Sequence, residues 1–305
     1  MLNYARIDVP VTTGRGTAAR PDRVAVALGY ARGRLRWLHP ESRRKSRLAV
    51  AAIVGKEAND GMARDHLAHA GARDQLIRQP GILRGAAIEG DHHLRDAKAT
   101  GRGVILSYCH FGPFPAIGVT ALEVVRDVHQ VAGAWLVAPR PDSITPRVRR
   151  WRRIFDDAGV PLIAAEGCFA ALNDLLQRGS VVVMAFDWPG SVESHFLGRP
   201  VRMASGTARL AEASGAVVVP VMRRFHELHL CTTFGPPIDI VTSGGWRQVH
   251  DDVAAQHEHW IRQCPAALED PRRPGAWEES ATAESWLLPR RRLRPGEGGN
   301  GQAAQ

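Results

Sequence analysis

The chain has 305 residues, 44% of them hydrophobic, which is enough for one large domain or two small ones around a sizeable core. A formal net charge of +9 and a pI near 10.2 point to anionic partners: phospholipid headgroups, nucleic acid or phosphorylated carriers. No run approaches the roughly 18 apolar residues of a bilayer span, and the N-terminal segment shows no signal-peptide apolar core, so the expectation is a soluble protein that touches a membrane surface at most and does not cross it.

Residues 1–22, rich in Gly, Thr and Arg, are expected to be loose. Residues 23–100 carry helical patterning, broken at Pro40, Gly61, Gly71 and Pro80. Within them "RRKSRLAVAAIVGKEA" (43–58) has a basic start and an apolar middle. It suits a packed helix or one lying on a membrane surface. From 101 to 288 the pattern alternates. β-branched runs at Val104–Leu106, Val131–Val137, Val160–Ile163, Val181–Phe186 and Ala216–Val221 read as strands. The segments 168–179 and 204–215 between them read as helices, and 147–155, "RVRRWRRIF", as a helix with one strongly basic face. Segment 229–240 reads as a further strand ending at Pro236-Pro237, and 246–264 as a long helix. This order predicts an α/β fold, a mostly parallel central sheet flanked by helices, behind a helical N-terminal region. The tail 289–305, charged and then rich in Gly and Gln, is expected to be disordered.

Chemistry is expected where strands end. "VILSYCHFGPFP" delivers His110 from an apolar run into a bend made by Gly112, Pro113 and Pro115. A helix starting after Gly112 would offer N–H groups to an oxyanion, beside a histidine able to deprotonate a hydroxyl. "VVVMAFDWPG" ends a second apolar run at Asp187. Parallel strands share one C-terminal edge, so His110 and Asp187 can meet, although an Asp before Pro-Gly also caps turns. Phe111, Gly112 and Phe114 flank the histidine as substrate-binding candidates. Gly198-Arg199-Pro200 reads as an exposed basic turn, Thr207 sits in a helix opening, and Arg153 lies on the basic face; each suits an anion, and each also has an ordinary structural reading. His226 and His229 are three apart, not the four of HExxH. Neither they nor the other histidine clusters complete a metal set. The cysteines, Cys109, Cys168, Cys231 and Cys264, form no CxxC pair and read as reduced thiols of a cytosolic protein.

The ordered set "IEGDHHLRDAKATGRGVILSYCHFG", a strand ending in Asp187, and "HFLGRPVRMASGTARLAEASGAVVVPV" resembles the lipid A late acyltransferase and phosphatidylinositol mannoside acyltransferase branch of the lysophospholipid acyltransferase superfamily, over about residues 87–240. The resemblance implies that superfamily's α/β fold and transfer of an acyl group from a thioester, on acyl carrier protein or coenzyme A, to a hydroxyl or amine, with no metal or cofactor. It implies His110 as general base within an H-x4-D/E motif. Here the acid position is Pro115, so Asp187 or a backbone carbonyl would have to fix the imidazole, and Pro115→Glu would restore the motif. Two other readings stay open. One is a same-fold transferase drawing on aminoacyl-tRNA. The other is a non-catalytic member that binds lipid or a partner at the inner face of the plasma membrane.

Overall fold

The structure is a computed structural model describing residues 21–79, 86–139, 144–226, 228–269 and 278–279. The tail 289–305 and all but the last two residues of the segment 1–22 lie outside the described residues.

The N-terminal layer is helical, as patterned: α1 (Pro21–Leu35), α2 (Pro40–Val54) and α3 (Asp60–Arg78). The glycines at 61 and 71 do not interrupt α3, contrary to expectation. Gly71 is instead a contact residue, since a methyl group there would lie 2.6 Å from the Gly33 nitrogen of α1. Gly29 and Gly33 are crowded in the same way by Ala72 and Ala68, so the two helices meet backbone to backbone. The segment read as helical also holds a strand, β1 (Ala87–Glu89), before α4 (Asp91–Ala99).

The chain then alternates. In order come β2 (Val104–Tyr108), α5 (Ile117–Val124), β3 (Val128–Ala132), α6 (Ala134–Val137), α7 (Pro146–Asp156), β4 (Leu162–Ala164), α8 (Phe169–Gln177) and β5 (Val181–Ala185). A hairpin follows, β6 (Pro189–Phe196) and β7 (Arg199–Met203), then α9 (Gly206–Ser214), β8 (Val217–His226) and β9 (His229–Phe234). The last described elements are β10 (Ile238–Asp239), α10 (Ile240–Ser243), α11 (Trp246–Gln263) and β11 (Glu278–Glu279). The expected strand Val131–Val137 is corrected. It starts earlier, where buried Val128 pairs with Val181, and Gly133 turns its second half into α6.

The main sheet has the order β1-β9-β8-β2-β5-β3-β4, with β10 also beside β8. Strands β8, β2, β5, β3 and β4 are mutually parallel, while β8 and β9 form an antiparallel hairpin. Both faces are covered. Ile105, Val182 and Val218 pack with Leu172, Leu210, Val253 and Ile261 on one side; Val104, Leu106, Val183 and Val219 pack with Leu94 and Ile117 on the other. Burial on two faces is why these strands read as unbroken apolar runs. The hairpin β6–β7 and β11 make a separate three-stranded antiparallel sheet.

Candidate active site

Strands β2 and β5 are parallel neighbours in register, with Tyr108 opposite Ala185. The ladder runs one step further through the Phe186 N–H, which donates to the Tyr108 carbonyl at 2.7 Å. Two residues past each strand stand His110 and Asp187. They are 77 positions apart in sequence and in direct contact in space. His110 Nδ1 donates to Asp187 Oδ1 at 2.7 Å, and the His110 backbone N–H donates to Asp187 Oδ2 at 2.9 Å. One carboxylate therefore holds both the ring and the backbone of the histidine. An ionised carboxylate only accepts, so the ring carries a proton on Nδ1, and in the neutral imidazole the lone pair is on Nε2. Asp187 is 2% exposed and His110 8%, which keeps the acid out of water and the imidazole just within reach of it.

The walls are aromatic. The Phe114 ring meets the His110 ring edge-on, with centroids 4.7 Å apart, and Tyr108 and Trp188 approach it at 5.9 and 6.1 Å. Phe114 in turn touches Trp151 of α7, and Trp151 touches the exposed Trp135, so a row of rings leads outward from the histidine. On the same helix Arg149, Arg150 and Arg153 are exposed. Cys109, next to the histidine, is buried, and burial pushes its thiol pKa up, which keeps it a neutral packing group.

The remaining site expectations divide. Phe111 is buried in the core and Thr207 is buried on α9. Arg199 is corrected from an exposed turn residue to a buried one, 5% exposed. It begins β7, and the Leu197–Gly198 turn beside it is tied to α11 through Glu258, which accepts from the Leu197 N–H at 2.6 Å. Gly112 has φ +56°, and a methyl group there would overlap the Arg223 carbonyl oxygen of β8. Its N–H donates to the Ala267 carbonyl at 2.9 Å, so that donor is already engaged and does not face an oxyanion. No sequence signal pointed to the segment 265–269 that makes this bond.

Pro115 sits buried in a 3-10 turn, Phe114–Ala116, ahead of α5. Since Nδ1 of His110 is taken by Asp187, Pro115→Glu fills no vacancy; it buries a carboxylate among apolar neighbours. That variant is expected to lower the melting temperature by about 5 °C or more without raising turnover. A gain in rate at unchanged melting temperature would overturn this.

Behind the dyad, the Ser107 hydroxyl and His257 Nε2 lie 3.2 Å apart, both buried. Burial pulls the His257 pKa down to about 4, so this second imidazole is neutral at physiological pH. Among the described residues no group of three or more His, Cys, Asp or Glu side chains is arranged to hold a metal ion.

A histidine hydrogen-bonded to a buried carboxylate therefore stands at the C-terminal edge of the parallel strands. The family described as bacterial lipid A biosynthesis acyltransferase matches residues 68–268, and the chain belongs to that family. A phosphatidylinositol mannoside acyltransferase of Mycobacterium tuberculosis (strain ATCC 25618 / H37Rv) is 29% identical over 137 residues, 44% of this chain and 42% of the relative. The matched region thus spans less than half of the relative's length. The crystal structure of the 1-acyl-sn-glycerophosphate acyltransferase from Thermotoga maritima superimposes with a TM-score of 0.40 at 11% identity, over 80% of this chain and 96% of that one.

Proposed function

We propose that the protein is an acyltransferase that moves an acyl group from a thioester, on acyl carrier protein or coenzyme A, to a hydroxyl or amine of a lipid or small acceptor. The observation that carries the proposal is the two-point contact between Asp187 and His110. His110 Nε2 takes the acceptor proton as the acceptor oxygen or nitrogen bonds to the thioester carbon. The C–S bond then breaks, and the imidazolium returns its proton to the leaving thiolate. Asp187 stays ionised throughout and favours the imidazolium. The exposed arginines of α7, beside the aromatic row, suit the phosphates or acidic surface of the donor. The test is mass spectrometry of products after incubation with palmitoyl-coenzyme A, palmitoyl acyl carrier protein and an aminoacyl-tRNA, each with a panel of glycolipid and small-molecule acceptors. Consumption of a thioester supports the reading. Consumption of aminoacyl-tRNA alone redirects it, and an unchanged set of donors favours a binding protein.

We also propose a peripheral, reversible membrane contact on the cytoplasmic side. No helix among the described residues is long and apolar enough to cross a membrane. The outer face of α1, however, presents Val24, Leu28, Ala31 and Leu35, continued by Leu38, all exposed. The four α1 positions fall within about 60° of one another around the helix. Residues 21–54 hold eight Arg and Lys against two acids. An apolar row flanked by cations suits an anionic lipid surface. The protein is expected to float with phosphatidylglycerol-containing vesicles at low salt and to be released at high salt. Leu28→Ser should weaken binding about tenfold or more at unchanged melting temperature. Equal recovery on neutral and anionic vesicles would remove the electrostatic part.

A further inference from the structure

We infer that Arg73 and Glu269 are positioning residues for His110, acting through a backbone strap that crosses the histidine loop; the inference rests on His110 being the general base. The strap is the stretch Pro265–Glu269 that follows α11. Its Ala267 carbonyl accepts from the Gly112 N–H at 2.9 Å, and its Glu269 N–H donates to the His110 carbonyl at 2.9 Å. Between these two bonds Phe111 and Leu268 form an antiparallel bridge. Ala267 and Leu268 are each 1% exposed, so the strap is packed and not merely laid on the surface.

The consequence for His110 is complete backbone constraint. Its N–H is held by Asp187, two residues past β5, and its carbonyl by Glu269 of the strap. Two residues on, Gly112 is wedged between the strap and the β8 backbone. The ring then has little freedom beyond its own side-chain torsions, and those are fixed by the Nδ1 bond to Asp187 and the edge contact with Phe114.

What fixes the strap is an ion pair from the helical layer. Arg73 Nε of α3 lies 3.2 Å from Glu269 Oε1, with only 10% and 15% of the two side chains exposed. A pair this buried is worth little as net stability, but breaking it on one side leaves a charge stranded in the protein interior, which holds the two groups together in one geometry. Helix α3 thus reaches the histidine loop through the Arg73–Glu269 ion pair, the strap and two backbone hydrogen bonds.

The experiment measures thiol release from palmitoyl-coenzyme A by the full chain and its variants, together with peptide-resolved hydrogen exchange. Arg73→Gln and Glu269→Gln are each expected to lower kcat about 10- to 100-fold at a nearly unchanged KM, because misplacing the base by a fraction of an ångström acts on the chemical step and not on donor binding. Exchange should accelerate in the peptide spanning 109–112 and not in α1. Combining the two substitutions should cost little more than either alone, since both remove the same contact. Arg73→Lys and Glu269→Asp, which keep the charges, should restore most of the rate, and they answer the question if the glutamine variants fail to fold. A folded Arg73→Gln protein with parental kcat, or a loss that merely follows the folded fraction with exchange at 109–112 unchanged, overturns the inference. His110→Ala, run alongside, separates the two readings. If it keeps full activity, the general-base reading fails, while accelerated exchange at 109–112 in Arg73→Gln still shows the strap holding the loop.

Discussion

Replacing His110 by alanine is expected to lower kcat by roughly 10²–10⁴, the usual contribution of a positioned general base. The substitution removes the imidazole that Asp187 holds at the strand edge. The backbone around it survives, because the residue-110 N–H still reaches Asp187 Oδ2 and its carbonyl still accepts from Glu269. Asp187 loses its hydrogen bond from the ring Nδ1 in a site it cannot leave, so a drop of a few degrees in melting temperature should accompany the kinetic loss. The check is thiol release under saturating donor, with circular dichroism on the same samples. A folded variant at full rate would remove His110 from the mechanism.

Asp187→Asn should be nearly as damaging, again roughly 10²–10⁴ in kcat, and for a reason visible in the two-point contact. The carboxylate accepts from two donors, the ring Nδ1–H and the backbone N–H. An amide offers one acceptor and one donor end. If its NH₂ group faces the ring, Nδ1 must accept, the proton moves to Nε2, and the base is lost. If it faces the backbone, two N–H groups oppose each other and the ring contact loses its charge. Size is unchanged, so the fold should hold. Nitrogen-15 chemical shifts of the imidazole would show the tautomer directly. A variant with Nδ1 still protonated and kcat unchanged would show that the charge of Asp187 is dispensable.

The strand runs were legible because strands buried on both faces cannot hide polar residues. Val104–Leu106 and Val181–Val183 announced themselves, and so did the edge on which His110 and Asp187 meet. The hairpin β6–β7 was not legible. Its strand "PGSVESHF" opens with Pro and Gly and keeps most of its first residues out of the core, so it lacks the apolar signature. Arg199 was misread because a basic residue after glycine looks like a surface turn, and nothing local says that another layer covers it. The strap was beyond reach for the same reason. It is a long-range backbone contact, and "CPAALE" carries no pattern that specifies a partner 155 or more positions away. Gly71 looked like a break because propensity is a weak prior. Close packing against Gly33 outweighs a cost of about 1 kcal/mol.

The delivery of Asp187 by the end of a separate strand changes what the dyad depends on. An acid five residues after the histidine would be delivered by local chain geometry, and it could form in a loosely organised loop. Here the two partners come together only when β2 and β5 are paired in the right register, since a slip of one residue would turn Asp187 to the opposite face. On the proposed mechanism, competence is therefore a property of the assembled sheet. As denaturant is added, catalytic activity should disappear together with the cooperative melting of the central strands and not ahead of it, making turnover a direct gauge of whether the middle of the molecule is intact.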